Sequence, residues 1–368
     1  MTPDPTSVAS RFPGVRRIAV IKLKHIGDVL LATPCFRALH EAFPDAEIHA
    51  VVNDESAPIL ANHPFLSDVH VFPRRAMKAG LRARLAGETA FFRAIRAARF
   101  DMTVDLTSGD RPAWISWLSG ARHRLAYHPD GKGFWGKRWL YNHLAPPCRD
   151  PDLHEVLKNL GVLIHAGVPS KDPRMEVFPS AADDAAVTVA LRAAGLPEGK
   201  DFVIAHPTSR WLWKCWPADR FAALISWIQS QHGLPVVLTC GPDRREIDWT
   251  DRMLAEGAGT PLDLRGRLSL LQWAALVKRA KLFAGVDSAP MHLAAAQGTP
   301  TLCFFGPTGW HNWEPWAVRH VTLVRDCPCS RDRGTPHCDW KQPRACLQAI
   351  RLDEAKAAVS DLLGATAS

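Results

Sequence analysis

The segment 22–28, Lys-Leu-Lys-His-Ile-Gly-Asp, places cations, an imidazole, a glycine and a carboxylate directly after an apolar run. Glycine permits a tight turn, and a helix that follows such a turn directs its unpaired N–H groups at the loop. We therefore expect Asp28 at a helix N-terminus, where its carboxylate either caps backbone N–H groups or serves as a general base. The single Gly-Asp pair differs from the GxGxxG pattern of dinucleotide folds, which argues against an NAD site.

A second segment, 206–217, follows another apolar run and combines two hydroxyls with two cations. Thr208, Ser209, Arg210 and Lys214 are side chains that donate hydrogen bonds to phosphate oxygens, and the closing proline suits the first turn of a helix. The alternative is that the tryptophans of this segment lie in the core while its charges face solvent. The residue types favour the phosphate-binding loop.

A third segment, 283–292, reads Phe-Ala-Gly-Val-Asp-Ser-Ala-Pro-Met-His. We expect a strand to end here, small residues to form the turn, and a helix to begin near Ala289. Such a helix N-terminus attracts anions, because its N–H groups converge and its dipole favours negative charge. A lone histidine on a helix is commonly just packed or solvated, but Asp287, Ser288 and His292 within one turn favour a functional site.

Four cysteines lie close together near the end of the chain: Cys327, Cys329, Cys338 and Cys346. Four thiolates suit tetrahedral zinc, but a C-x-C pair followed by gaps of eight and seven residues is not a standard zinc pattern. Free thiols or a fortuitous pair, a structural zinc site and a regulatory disulfide therefore remain open. The first is favoured, because a cytosolic chain keeps its cysteines reduced.

Strands that alternate with helical segments predict how these loops are positioned. In the first half we expect strands at 18–23, 47–52, 68–72 and 102–106, helices at about 29–43 and 81–98, and a long surface loop at 128–150. After a proline-containing link at 168–180, we expect helices at 181–194, 217–231, 269–278 and 353–363, a short helix from about 289, and strands at 202–205, 235–240, 281–284 and 301–305. The pattern predicts two doubly wound domains facing a cleft, with ligands beyond the carboxyl ends of the strands.

Composition agrees with a globular protein of two domains. The chain has 368 residues, of which 47% are hydrophobic and 22% charged, and this balance excludes a disordered or fibrous protein. Residues 1–150 carry 21 basic and 14 acidic side chains, whereas the remainder carries 24 and 23. A basic surplus confined to the first part favours an anionic partner there, although a merely solvated basic face would look the same. No secretory signal and no 18-residue apolar run is present, so we expect a cytosolic protein.

A nucleic-acid-binding protein is a second class that the basic surplus allows. Aromatic residues are interleaved with the cations, at Trp114, Trp117, Trp135 and Trp139. No recognised nucleic-acid motif accompanies them, which makes this class the weaker hypothesis.

The motifs together resemble glycosyltransferase family 9, the ADP-heptose:lipopolysaccharide heptosyltransferases. The similarity follows the whole chain in order, at 22–34 with its Gly-Asp-Val-Leu-Leu-Ala-Thr-Pro, at 206–217, at 285–296, at 298–300 and at 305–308. The Asp105–Arg111 stretch and its Trp-rich continuation most resemble the heptosyltransferase III branch of that family.

The resemblance implies an α/β protein with the GT-B fold, in which two Rossmann-like, doubly wound parallel-sheet domains face a central cleft. It implies an acceptor-binding domain at 1–170, a nucleotide-sugar-binding domain at 181–350, and a C-terminal helix and tail at 351–368.

The resemblance also implies roles for single residues. Asp28 would be the catalytic base, and the donor would contact Thr208, Ser209, Arg210, Lys214, Asp243, Asp287, Ser288, Ala289 and His292. The acceptor would contact Lys22, Lys24, His25, Gly27, Asp110 and Arg111. Between Arg210 and Lys214 the chain departs from the family pattern, because Trp211 and Trp213 make this stretch longer and more aromatic.

The implied reaction is an inverting transfer of heptose from ADP-L-glycero-D-manno-heptose to the inner core of lipopolysaccharide, with no cofactor and no metal. Its partners would be the ADP-heptose donor, an anionic Kdo/heptose-lipid A acceptor and, transiently, the cytoplasmic face of the inner membrane, and not nucleic acid. Another nucleotide sugar, or an acceptor outside the lipopolysaccharide core, is the alternative within the same family.

Overall fold

A computed structural model describes residues 8, 10–74, 80–325 and 345–364. The chain divides into two compact units, Met1–Glu176 and Val177–Ser368. Three of the four clustered cysteines, Cys327, Cys329 and Cys338, lie outside the described residues, and so do Arg75 and Lys78, two of the basic residues of the first part.

The first unit is built on a six-stranded sheet in which every pairing is parallel. Its strands are β1 (Arg17–Lys22), β2 (Glu47–Asn53), β3 (Asp68–Phe72), β4 (Met102–Asp105), β5 (His123–Tyr127) and β6 (His143–Ala145). Its helices are α1 (Ile26–Leu30), α2 (Pro34–Ala42), α3 (Leu81–Ala97), α4 (Asp110–Leu118) and α5 (Glu155–His165). The spatial order β3-β2-β1-β4-β5-β6 reverses between β1 and β4, and the loops that follow these two strands are therefore where a doubly wound sheet binds ligands.

The second unit repeats the same plan with a second all-parallel sheet. Its strands are β7 (Val203–His206), β8 (Val236–Leu238), β9 (Leu262–Asp263), β10 (Leu282–Val286), β11 (Thr301–Phe304) and β12 (His320–Leu323). Its helices are α6 (Ala181–Ala193), α7 (Ala218–His232), α8 (Arg244–Ala255), α9 (Leu270–Lys278), α10 (Ala289–Ala296), α11 (Trp310–Trp313), α12 (Ala345–Gln348) and α13 (Leu352–Gly364). The order β12-β11-β10-β7-β8-β9 reverses between β7 and β10.

The core of the second unit includes the C-terminal helix α13. Trp216 is fully buried and stacks on Phe304, with ring centroids 4.3 Å apart, and its Nε1 donates to the Ile350 carbonyl oxygen at 3.2 Å. Val359 and Leu362 of α13 are buried in the same cluster. Among the described residues, no helix combines the length and the apolar character that crossing a bilayer requires.

The helix predicted at 29–43 is wrong as a single element, because it is two helices separated by a turn at residues 31–33. Pro34 has no N–H to continue the hydrogen-bond ladder. The Thr33 hydroxyl donates to the Leu30 carbonyl oxygen instead, at 2.7 Å, and accepts from the Glu176 backbone N–H at 2.9 Å. The proline therefore starts α2 rather than lying inside a longer helix.

The surface loop predicted at 128–150 is also wrong in part. It contains β6 and a short 3-10 helix, Lys137–Leu140, and both Lys137 and Tyr141 are buried. The Tyr141 hydroxyl donates to Asp105 Oδ2 at 2.5 Å, and Lys137 Nζ donates to the Ser108 carbonyl oxygen at 2.7 Å. Polar groups satisfied by long-range bonds let this Gly- and charge-rich segment pack against the sheet.

Candidate active site

In the second unit, the loops after β7 and β10 begin at the same edge of the sheet. The two strands are neighbours, with Gly285 directly opposite His206. A Cβ on Gly285 would lie only 2.8 Å from the His206 carbonyl oxygen, so the close approach of the two strand ends requires glycine. The predicted phosphate loop and the predicted anion-binding turn are thereby brought together.

An ion pair connects these two loops. Lys214 Nζ lies 2.6 Å from Asp287 Oδ2, and the Thr308 hydroxyl donates to the same oxygen at 2.7 Å. Burial alone would raise the pKa of Asp287, but the charge of Lys214 and the hydrogen bonds from Lys214 and Thr308 outweigh it, so this pKa lies below its ordinary value. The carboxylate is therefore ionised at neutral pH and holds the ammonium group in place.

Helix α10 begins beside this ion pair. Ser288 is its N-cap, Ala289 its first residue, and Pro290 its second, where the missing N–H costs no helical hydrogen bond. The Ser288 hydroxyl donates to the Val286 carbonyl oxygen, and no side chain caps α10 within the part of the chain described. Its first N–H groups are thus the kind of donors that bind phosphate. His292 is buried one turn further on and faces Trp313.

The hydroxyls of the loop after β7 are held by the protein itself. Thr208 is fully buried and donates to Glu246 Oε2 at 2.7 Å, and the Gly241 N–H donates to the same oxygen at 3.1 Å. Ser209 Oγ accepts from the Trp211 N–H at 3.0 Å. Glu246 was not expected from the sequence, although its place three residues after the N-cap of α8 is a common one for a helix-capping acid.

The tryptophans of the same segment lie in different environments, so each of the two alternatives considered from the sequence holds in part. Trp216 is a core residue, whereas Trp211 is 53% exposed. Lys214 lies at the end of a short 3-10 helix, with its Nζ 5.5 Å from the centre of the Trp213 ring. Arg210 is exposed on the same loop. Although Trp211 and Trp213 make this stretch longer, Lys214 still contacts the Asp287 carboxylate.

Asp243 occupies the N-cap of α8. Its Oδ1 accepts from the Arg245 N–H at 2.9 Å and its Oδ2 pairs with the Arg245 guanidinium at 2.9 Å. These hydrogen bonds lower the pKa of Asp243 to about 2. The contacts of Asp243 are therefore those of a helix-capping residue.

In the first unit, Asp28 is the third residue of α1, and His25 is the N-cap. Asp28 Oδ2 accepts from the His25 backbone N–H at 3.3 Å, which closes the turn that contains Gly27. The His25 imidazole Nδ1 lies 2.6 Å from Glu55 Oε1, and Arg74 lies 3.2 Å from the same oxygen. Glu55 was not expected from the sequence, because it follows a different strand.

Lys22 is 98% buried at the end of β1. Its Nζ donates to Asn159 Oδ1 at 2.7 Å and to the Leu106 carbonyl oxygen at 2.9 Å, and it lies 3.6 Å from Glu155. Burial lowers the pKa of Lys22 despite the opposing charges of Glu155 and Asp28. The Lys22 ammonium group thus links the end of β1 to the loop after β4 and to α5. Lys24, in the loop after β1, is exposed.

A cavity of about 230 Å³ opens beyond the carboxyl ends of β1, β4 and β5. Lys24, Lys132 and Lys158 contribute cations to its lining, and Lys22 contributes to its buried wall. The loop after β4 is shaped by Asp105, whose Oδ1 accepts from the Thr107 and Ser108 N–H groups at 2.7 and 3.2 Å.

The two predicted acceptor residues of α4 have protein partners of their own. Asp110 Oδ1 lies 3.3 Å from Lys137 Nζ, and the Arg111 guanidinium lies 4.8 Å from the centre of the Phe72 ring. Both side chains are exposed at the N-terminus of the helix. Cys346, the one described member of the cysteine group, is buried at the start of α12.

Comparison with known proteins identifies the family to which the chain belongs. Residues 88–339 match the model of glycosyltransferase family 9 (heptosyltransferase). The chain is 32% identical over 318 residues to lipopolysaccharide heptosyltransferase 3 of Escherichia coli, covering 84% of this chain and 90% of that protein.

Solved structures of low sequence identity share the fold. A family 9 glycosyl transferase from Veillonella parvula superposes with a TM-score of 0.80 at 20% identity, covering 95% of this chain and 97% of that one. The E. coli heptosyltransferase WaaC with ADP-2-deoxy-2-fluoro heptose gives 0.70 at 20% identity, covering 94% and 99%. The predicted α/β fold class, GT-B with two Rossmann-like sheets, is confirmed, and the chain belongs to glycosyltransferase family 9 and is a glycosyltransferase.

Proposed function

We propose that this protein transfers a heptose from ADP-L-glycero-D-manno-heptose to the inner core of lipopolysaccharide, with inversion at the anomeric carbon. The sequence relationship to a lipopolysaccharide heptosyltransferase 3 supports the substrate class. The observation that carries the proposal is the Lys214–Asp287 ion pair, which lies between a hydroxyl-bearing loop and the uncapped N-terminus of α10. Cations and helix N–H groups at one sheet edge suit a sugar diphosphate.

The donor diphosphate would accept hydrogen bonds from the first N–H groups of α10, near Ser288 and Ala289, and from Lys214. When the glycosidic C–O bond breaks, ADP leaves with the bonding electrons, and this developing charge is what the ammonium group and the helix terminus stabilise. Arg210 adds a second, exposed cation on the loop. These groups offset the charge without a divalent metal, which therefore has no step in the proposed mechanism.

Buried acids hold this donor site in shape. Asp287 orients Lys214, and Glu246 holds Thr208 against the loop that begins at Gly241. In this proposal Thr208 acts mainly by fixing the loop backbone, because its hydroxyl already donates to Glu246. Asp243 and His292 would complete the site at the nucleoside and at the second turn of α10.

Asp28 is the proposed catalytic base. It would take the proton of the acceptor hydroxyl as that oxygen bonds to the anomeric carbon, so that one C–O bond forms while another breaks. The 3.3 Å hydrogen bond from His25 N–H keeps the carboxylate at the loop, and Glu55 holds the His25 imidazole. Lys22 would support this loop from within the protein rather than touch the acceptor.

The acceptor would lie on the first unit, where the basic surplus is concentrated. Its carboxylate and phosphate groups suit the cavity with Lys24, Lys132 and Lys158 in its lining. Arg111, on the neighbouring helix α4, would extend this cationic region. Glu155 and Asp130, which also line the cavity, would disfavour acceptors with a single, poorly placed anionic group.

We also propose that the first unit contacts the cytoplasmic membrane surface through its exposed aromatic side chains. The "tryptophan surface" comprises Trp114, Trp117, Leu118, Phe134, Trp135 and Trp139. Trp135 is 89% exposed, and the Trp114 ring stacks on that of Phe134 at 5.3 Å. Exposed aromatic clusters mark interaction sites, and tryptophan prefers the headgroup level of bilayers. Arg138 beside Trp139 suits anionic headgroups.

The function is tested by incubating the purified protein with truncated lipopolysaccharide and ADP-heptose, and by weighing the product by mass spectrometry. We expect a mass increase of one heptose that depends on both substrates. Parallel incubations with UDP-glucose and ADP-glucose serve as controls. The proposed substrates would be wrong if no heptose passed from ADP-heptose to the core while sugar was transferred from one of these donors, or to a sugar lipid that lacks the core. The family assignment would be unaffected.

A further inference from the structure

Two histidines and an aspartate share one face of the sheet at the edge formed by β2 and β3. His49 lies directly opposite Asp68, and His70 is two residues further along β3. Because side chains two apart on a strand point to the same side, all three project from the same face. Their ligand atoms lie within 4.8 Å of one another. The cluster lies near the amino ends of the strands, away from the carboxyl ends that carry the proposed active-site loops.

The distances in this cluster suit a tetrahedral metal ion. A hydrogen bond joins His49 Nδ1 and His70 Nε2 at 3.3 Å, and a metal ion bound by both nitrogens would replace its proton. Two imidazole nitrogens bound to zinc at roughly 2.0–2.1 Å with tetrahedral angles would be about 3.3 Å apart as well. Asp68 Oδ2 lies 3.9 Å from His70 Nε2. Asp68 Oδ1 accepts from the Val69 N–H, so Oδ2 is the carboxylate oxygen that faces the histidines.

The surroundings favour a cation. Glu47 Oε2 lies 3.7 Å from His49 Nε2, which is buried and has no hydrogen-bond partner among the described residues. A carboxylate near the second ring nitrogen is the usual support of a metal-bound histidine. Arg17, a cation on the neighbouring strand β1, is paired with Glu47 at 2.9 Å.

The opposite edge of the same sheet provides a matched pair without these features. His123 Nδ1 and His143 Nε2 are 3.1 Å apart on β5 and β6. There, the Arg122 guanidinium donates to His123 Nε2 at 3.1 Å, which leaves the proton on Nδ1 and directs it to His143. Arg11 and Arg124 also act on this pair. Arginines surround this pair, whereas the carboxylates of Glu47 and Asp68 flank His49 and His70, so the charges at this edge disfavour a metal ion.

We propose that His49, His70 and Asp68 bind one divalent transition metal ion of the zinc type, with solvent as the fourth ligand. The ion would join β2 to β3 at the edge of the sheet and stabilise the first unit, because a ligand that binds only the folded state raises its stability. The proposal is independent of the glycosyl-transfer reaction, since the cluster lies away from the proposed active-site loops.

The test uses untagged, metal-stripped protein titrated with Co²⁺, followed by its visible absorption, and with Zn²⁺, followed by calorimetry. We expect one ion per chain, tetrahedral Co²⁺ bands without the near-ultraviolet thiolate band, and a rise in melting temperature. His70→Gln and Asp68→Asn each remove a direct ligand and should weaken binding by at least about 10–100-fold, the range seen when only an outer-shell partner of a ligand is replaced. The control His143→Gln should bind as the native chain does.

Any of three results would overturn the proposal. The first is unchanged Co²⁺ affinity in both His70→Gln and Asp68→Asn. The second is an equal loss in His143→Gln, which would indicate scattered surface binding. The third is a thiolate band that persists in all variants, which would assign the ion to the cysteines. Circular dichroism of each metal-free variant establishes that the comparison is made between folded proteins.

Discussion

The Lys214 ammonium lies 2.6 Å from the Asp287 carboxylate, and this ion pair joins the loop after β7 to the turn before α10. Both side chains are largely buried, so the charges are shielded from water and their positions are mutually dependent. A buried ion pair adds little net stability, but removing one partner leaves an uncompensated charge. The ion pair thus fixes the position of the Lys214 ammonium group that would bind the proposed diphosphate.

Replacing Lys214 by alanine should weaken donor binding and destabilise the second unit. The stability loss should be about 3–5 kcal/mol, because Asp287 would stay buried without its partner. In the double variant Lys214→Ala/Asp287→Asn, stability should recover while ADP affinity stays low. Calorimetric ADP titration and thermal melting separate the two effects, with Arg192→Ala, an exposed cation of α6, as the control. Undiminished ADP affinity in Lys214→Ala would place the diphosphate elsewhere.

Asp28→Asn should lower kcat by about 10²–10⁴-fold, the range for general-base catalysis, and leave ADP affinity unchanged. The amide oxygen can still accept from His25 N–H, so the unfolding free energy should fall by less than about 1 kcal/mol. Kinetics with saturating donor and acceptor provide the measurement, and Asp45→Asn, an exposed carboxylate of the same unit, is the control. Near-native turnover in a folded Asp28→Asn enzyme would leave Asp28 as a structural residue.

Transfer should continue in EDTA, because the cations and the terminus of α10 offset the diphosphate charge. The same treatment should lower the melting temperature if the histidine cluster of β2 and β3 holds an ion. Initial rates and melting curves taken from one chelated sample test both statements together. Activity lost in EDTA and restored by magnesium would contradict the metal-free mechanism.

Stability should fall as the pH drops below about 6.5. Burial lowers the pKa of His206 to about 3, whereas an unfolded histidine titrates near 6.5. Between these values the unfolded chain binds a proton that the folded chain does not, so the unfolding free energy decreases by up to about 1.4 kcal/mol per pH unit. Urea midpoints at pH 6.5 and 5.0 measure this slope. His206→Asn should reduce it, while His311→Asn, an exposed control, should not.

The double variant Trp135→Ala/Trp139→Ala should bind anionic vesicles at least about tenfold more weakly than the native chain, because it loses the most exposed rings of the tryptophan surface. Cosedimentation with phosphatidylethanolamine–phosphatidylglycerol vesicles gives the partition coefficient. Trp211→Ala removes a tryptophan of the second unit that is 53% exposed, close to the 58% of Trp139, and should have no effect. Equal binding of all three proteins would exclude this surface, and salt-sensitive binding to random oligonucleotides instead would favour the nucleic-acid alternative.

The loops that follow buried strands could be located from the local sequence pattern. The segments at 22–28, 206–217 and 283–292 each follow a buried strand, and parallel strands place their carboxyl ends at one edge. The Lys214–Asp287 contact itself could not be predicted, because the two residues are 73 positions apart and meet only because β7 and β10 are neighbours in the sheet. Both residues were nevertheless identified from their chemistry.

Residues that act through long-range contacts were missed. Glu246 supports Thr208 across 38 positions, and Glu55 supports His25 across 30. The segment around Tyr141 looks like a loop, because its packing depends on a bond to Asp105 that no local pattern reports. At Pro34 the signal was present, and the helix was extended through it because the apolar spacing continues on both sides.

The bond from Trp216 to the Ile350 carbonyl oxygen has a consequence for how the protein is made. Trp216 follows Lys214 by two residues, and the partners of its indole ring include a segment near the end of the chain. Until Ile350 has left the ribosome, this anchor is missing and the loop that bears Lys214 lacks part of its support. A chain truncated before Ile350 should therefore lose donor affinity while the first unit still folds.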